Sequence, residues 1–200
     1  GINEFSALDY VYVDADVTLF QGQNQLNIKR IRKADEGEYH PADYLPVTTK
    51  DIPAMQHELI QYITTIKNEY LRKLASGYFN DPEFMKAFSF HSAAKSVHHG
   101  FVGGLLEHTL SVVKMCDYFS KQYPLINRDL LLTAAMFHDI GKTKELSAFP
   151  ANDYTDDGQL LGHIIIGSQM VKERIDAMPG FPKKLPTMVS WNTVPRRNRR

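Results

Sequence analysis

Apolar and polar residues alternate along 10–20 (YVYVDADVTLF), the period of two that turns successive side chains to opposite faces of a strand. GQNQ at 22–25 interrupts the pattern, and LNIKRIRKA resumes it, with Leu26, Ile28 and Ile31 set among polar and basic residues. A β-hairpin is predicted there. From Asp51 the period changes: Ile52, Met55, Leu59, Ile63, Ile66, Tyr70 and Leu74 recur at three and four, which predicts one long amphipathic helix. Asp81-Pro82-Glu83 then sets a capping acid before a proline suited to a first helical turn, with Phe84 and Phe88 sharing one face of a shorter helix. Helical periods recur at 105–123, 129–140 and 160–178, and Gly141 is placed to cap the C-terminus of the second. Residues 39–50, with two prolines and no period, read as a linker, and no strand is predicted after residue 51. The expected fold is mainly α, an all-helical domain preceded by a partial β hairpin.

Composition adds limits. With 43% hydrophobic residues against 23% charged, the chain has apolar surface enough for a core and is too apolar for wholesale disorder. Lys plus Arg and Asp plus Glu both total 23, but Arg196, Arg197, Arg199 and Arg200 crowd the last five positions, and the remainder carries a formal −4. Polyanion binding must therefore come from local patches rather than a general positive field. A single cysteine, Cys116, excludes an internal disulfide. No run of about 18 apolar residues and no signal-like opening occurs, so the expectation is a cytoplasmic protein with no membrane partner. The chain opens almost at once on strand-like sequence, as if earlier strands of a domain were missing, and the segment after Met178 carries four prolines and no amphipathic repeat. A fragment ending in linker-like or out-of-frame sequence is the expectation.

Candidate chemistry lies on the helices. His108 stands three after Leu105 and four before Val112; His138 follows Leu131, Ala134 and Ala135, with Asp139 beside it; His163 follows Leu160 and precedes Gly167 and Met170 at the same spacing. Each helix thus offers one imidazole toward its apolar face. A lone inward histidine is more often a core residue than a ligand. Imidazoles and a carboxylate converging from facing helices are what a divalent transition metal needs.

In conjunction, HHGFVGGLLEHTLSVV, LLTAAMFHDIGKTKEL and LLGHIIIGSQMV resemble the HD-domain superfamily of metal-dependent phosphohydrolases, and more narrowly the YhaM-type 3′-to-5′ exoribonucleases, over about residues 10–180. The resemblance implies an HD domain at 51–188, preceded at 1–38 by the C-terminal part of an OB-fold nucleic-acid-binding domain and followed by an irregular basic tail at 189–200. His108 matches the first metal-ligand histidine, His138 and Asp139 the signature pair, and His163 the histidine that joins a second metal in binuclear members. Lys142 matches the lysine near the substrate phosphate, which with Asp139 makes up the catalytic pair. One or two divalent ions are implied, manganese first, with magnesium, cobalt or iron as alternatives. Family members continue downstream with a His-His-Gly segment and a distal aspartate, and this chain has neither after Met188. The metal site is therefore expected to be incomplete, and the uncovered Ile164, Ile165 or Met170 to promote association into a homo-oligomer.

The hairpin concentrates Lys29, Arg30, Arg32 and Lys33, a candidate single-strand nucleic-acid surface for which Tyr10, Tyr12 and Phe20 are stacking candidates. A solvated strand face with its aromatics in the core is the alternative. His98 and His99 either face the substrate cleft or are loop histidines in solvent. Three functions stay open: a 3′-to-5′ exoribonuclease on single-stranded RNA, with single-stranded DNA as an additional substrate; an HD phosphohydrolase of small nucleotides; and a catalytically impaired nucleic-acid-binding fragment.

Overall fold

The computed structural model describes residues 5–6, 8–40, 43–95 and 99–182, so His98, the tail arginines and everything after residue 182 lie outside it. The chain divides into two units, Gly1–Leu45 and Pro46–Arg200.

In the first unit β1 (Val11–Phe20) and β2 (Gln23–Lys33) form an antiparallel hairpin with Val11 opposite Lys33 and Phe20 opposite Gln23. Gln21 and Gly22 make the turn, both with positive φ (48° and 78°), as a two-residue turn matched to strand twist requires. The second strand accordingly starts at Gln23; the polar run at 23–25 pairs with Thr18, Leu19 and Phe20 instead of interrupting the sheet. A bulge lets Ala15 face Ile28 and Asp14 face Arg30, with Lys29 as the extra residue. That extra residue explains why Ile28 and Ile31, three apart, share a face with Val13, Val17 and Leu26. Much of this apolar face is exposed, with Leu19 at 74% and Val17 at 67%. Tyr10 stacks on Tyr39 at 4.0 Å between ring centroids.

The second unit is helical: α1 (Ile52–Thr64), α2 (Glu69–Phe79), α3 (Pro82–Phe90), α4 (Gly104–Gln122), α5 (Arg128–Phe137), α6 (Lys142–Glu145) and α7 (Asp156–Asp176). The long helix expected from residue 51 is two. Asn68 starts the second, its side-chain oxygen accepting from the Tyr70 and Leu71 backbone N–H groups, while its own N–H donates to Asp129 at 2.7 Å. The apolar period runs across the break because Ile66, between the helices, is fully buried in the same core. Asp81 caps α3 as its sequence predicts. Gly141 is not a left-handed cap: its φ is −65°, and it begins α6. Close approach explains the glycine there, since a Cβ would lie 2.0 Å from the His163 carbonyl oxygen and 2.6 Å from the Gly167 nitrogen. Thr155 caps α7, its side chain accepting from the Gly158 N–H, and the helix kinks at Gly162 (φ 72°, ψ 158°). Met170, expected to be uncovered, is buried, and its carbonyl accepts from the Tyr78 hydroxyl; Ile165 is 40% exposed. Residues 46–50, read as linker, join this unit through a bridge between Val47 and Val102. Among the described residues no helix is long and apolar enough to cross a membrane.

Candidate metal centre

α4 and α5 pack side by side and bring the signature groups together. α4 begins at Gly104 against the loop that carries His99; a Cβ on Gly104 would lie 2.0 Å from the His99 carbonyl oxygen. His108 follows one turn in. On α5 the helix ends at His138, whose Nδ1 lies 2.7 Å from the Ala135 carbonyl oxygen. A carbonyl only accepts, so Nδ1 carries the proton and Nε2 presents its lone pair. Asp139, next in the chain, is 6% exposed.

The donor atoms form a small triangle. His108 Nε2 is 3.1 Å from His138 Nε2 and 3.5 Å from Asp139 Oδ2, and His138 Nε2 is 3.3 Å from the same oxygen. Donors about 2.1 Å from one ion stand roughly 3.0 to 3.4 Å apart in octahedral or tetrahedral geometry, so this triangle has the size of one face of a coordination shell. The two imidazoles keep about a third of their side-chain surface open to solvent, which leaves a side for a ligand. These three are the group of ligand-type side chains among the described residues that could hold an ion.

The carboxylate of the triangle stays ionised. Burial works against ionised Asp139, but hydrogen bonds and charge from His138 and Lys142 outweigh it and hold the carboxyl well below the ordinary range. Lys142 Nζ, on the first residue of α6, donates to Asp139 Oδ2 at 3.0 Å and to the Ala93 carbonyl at 2.5 Å. His108 is pulled below the usual imidazole value by burial, only partly countered by Asp139. For His138 the same burial is overcome by Asp139, and its value is raised.

His163 stands at the rim: its Nε2 is 3.5 Å from Asp139 Oδ1, outside the tight triangle. The His99 ring lies 5.4 Å from that of His108, beside the centre, with its backbone at φ 63°. The hairpin cations are engaged within their own unit: Lys29 pairs with Asp16 at 2.7 Å, Lys33 with Asp9 at 2.8 Å, and Arg32 with Glu38 at 2.6 Å. Arg32 also lies over the Tyr12 ring and, chiefly by hydrogen bonding, draws the Glu38 carboxyl down to about 2. Arg30 makes no ion pair among the described residues.

Two groups escaped the sequence reading. Glu145 contacts His163, and His91 is buried with its Nε2 2.7 Å from the Lys142 carbonyl oxygen, pinning the α5–α6 corner. Neither belongs to a long apolar period, and the one available signal was an acid six residues after Asp139 in an otherwise basic stretch.

With this arrangement in view, the comparisons agree on kinship. Residues 105–188 match the HD domain family. The chain carries an HD domain. It is 35% identical over 164 residues to the 3′-5′ exoribonuclease YhaM of Bacillus velezensis, covering 81% of this chain and 51% of that protein. The YhaM of Bacillus licheniformis is 36% identical over 158 residues (78% and 49%), and that of Listeria welshimeri 31% over 169 residues (84% and 53%). The chain spans about half the length of the curated relatives it matches. No solved structure matches it significantly. An HD domain implies a divalent metal, and the His108, His138 and Asp139 donors of this HD domain suit one.

Proposed function

We propose that this chain carries the hydrolytic centre of a divalent-metal-dependent 3′-to-5′ exoribonuclease that trims single-stranded RNA. The carrying observation is the triangle of His108, His138 and Asp139, with the tautomer of His138 set by the Ala135 carbonyl. The relatives it matches are named 3′-5′ exoribonucleases, and the basic residues of the hairpin offer contacts for RNA, with single-stranded DNA as a related ligand.

When bound, a divalent ion supplies a nucleophile at neutral pH by lowering the pKa of water and stabilises charge on the phosphate. His108, His138 and Asp139 would hold it, and His163 would take part in a second ion. Manganese suits this imidazole and carboxylate set, with magnesium, cobalt or iron as other occupants. Lys142 keeps Asp139 ionised and has a third N–H to offer a phosphate oxygen, while its fixed contacts to Asp139 and Ala93 spare reorganisation during the reaction. His99 lines the approach to His108.

The test is incubation with Mn2+ and 5′-end-labelled single-stranded RNA. Stepwise shortening from the 3′ end, lost on chelation and in His138→Ala, is expected. Hydrolysis of small nucleotides in place of RNA would move the chain to the second class, and RNA binding without hydrolysis would leave it a binding protein.

A further inference from the structure

Glu145 is only 8% exposed, and a single oxygen of its carboxylate makes two contacts with one residue. Oε1 lies 2.9 Å from the His163 backbone nitrogen and 2.9 Å from His163 Nδ1. An ionised carboxylate only accepts, so Nδ1 carries a proton and the lone pair of the ring is left on Nε2, the nitrogen 3.5 Å from Asp139 Oδ1.

The backbone shows why this contact forms. Gly162 interrupts α7 with a φ of 72°, so His163 opens a new helical segment and its N–H has no helical acceptor. Glu145 provides one. The glutamate is itself held in place: its carbonyl accepts from the Thr155 N–H at 3.0 Å, and a Cβ on Gly158 would lie 2.1 Å from that same oxygen, so α7 packs closely over it. The backbone N–H and the ring of His163 are thus fixed by one acceptor.

We infer that Glu145 is a positioning residue that fixes the orientation and tautomer of His163, presenting its Nε2 lone pair beside Asp139 as an additional ligand of the metal centre. This rests on the reading of His163 as a ligand given under Proposed function. His163 then repeats the device of His138, in which Nδ1–H is spent on a backbone or carboxylate oxygen and Nε2 is left as the donor.

The test uses the full chain, stripped of metal, and long-range 15N correlation of the His163 ring. Wild type is expected to show the Nδ1–H tautomer. Glu145→Ala should shift the ring toward Nε2–H and weaken Mn2+ binding, measured without RNA, by about ten- to a hundredfold. Glu145→Gln, whose amide oxygen can accept from both groups, should keep the wild-type tautomer and stay within a few-fold in affinity. An Nε2–H ring in wild type overturns the inference. So does Glu145→Ala with a lower melting temperature but an unchanged tautomer and Mn2+ affinity, which would make Glu145 a helix cap alone. If Glu145→Ala does not fold, the wild-type tautomer and the Gln variant decide. Absence of RNA hydrolysis alongside the expected tautomer and affinity changes would remove the nuclease reading and leave this one standing.

Discussion

Asp139 is the residue on which the centre turns: one carboxylate oxygen faces His108, His138 and Lys142, and the other faces His163. Replacing it by asparagine keeps the shape but removes the charge that draws a cation and balances Lys142. Asp139→Asn and His138→Ala are each expected to lower Mn2+ affinity by roughly tenfold or more with the helical circular dichroism retained, because ligands of one ion act together. Elemental analysis after dialysis is the measure, and wild-type metal content in both variants would refute the ligand set. Gly141 matters at the same scale without chemistry of its own. With a Cβ 2.0 Å from the His163 carbonyl oxygen, Gly141→Ala must push α7 from the α5–α6 corner, so it is expected to destabilise the fold and reduce Mn2+ affinity together.

Among the elements, Asp117 joins the ends of three helices. On α4 and 6% exposed, it pairs with Lys121 at 2.6 Å and with Arg128 of α5 at 2.7 Å, and Arg128 continues to the Thr65 hydroxyl at the end of α1. Burial raises the Asp117 carboxyl, but the two cations outweigh it and lower the value. A carboxyl lowered in the fold contributes stability that is complete above its unfolded value and is lost as acid carries the pH down through the folded one. Asp117→Asn is therefore expected to cost about 2 to 3 kcal/mol at neutral pH, less at pH 3, with melting curves of the two proteins converging as pH falls; a constant gap would refute the linkage. Elements also show what was legible. His108, His138 and Asp139 could be placed because each sits on or at the end of a helix with a readable apolar period. The break at Asn68 was hidden because Ile66 keeps the spacing across it, and the role of Gly141 because the close approach it permits comes from α7, distant in sequence. Glu145 lies in a four-residue helix, too short for any period to orient it.

For the molecule as a whole, the question is whether the basic cluster of the hairpin works as an RNA surface. Over residues 1–45, Lys29, Arg30, Arg32 and Lys33 are four cations against eight carboxylates, Glu4, Asp9, Asp14, Asp16, Asp35, Glu36, Glu38 and Asp43, so this unit is formally net −4 despite its run of basic side chains. The bulge places Lys29 where it meets Asp16, the strand end brings Lys33 to Asp9, and Arg32 takes both Glu38 oxygens. A cation already matched by a carboxylate adds little to the field that a phosphate feels, whereas Arg30 retains its charge. Each phosphate contact on a single strand contributes about 0.7 to the slope of log affinity against log salt, so four independent contacts would be worth roughly 2.8. Replacing all four residues by alanine is expected to lower the slope by about 0.7. Arg30→Ala alone should give most of that change, measured by fluorescence anisotropy of labelled single-stranded RNA across a salt series. A drop near 2.8 in the quadruple variant would mean that RNA displaces the carboxylates and recruits the whole cluster. No change in either variant would confine RNA to the helical unit.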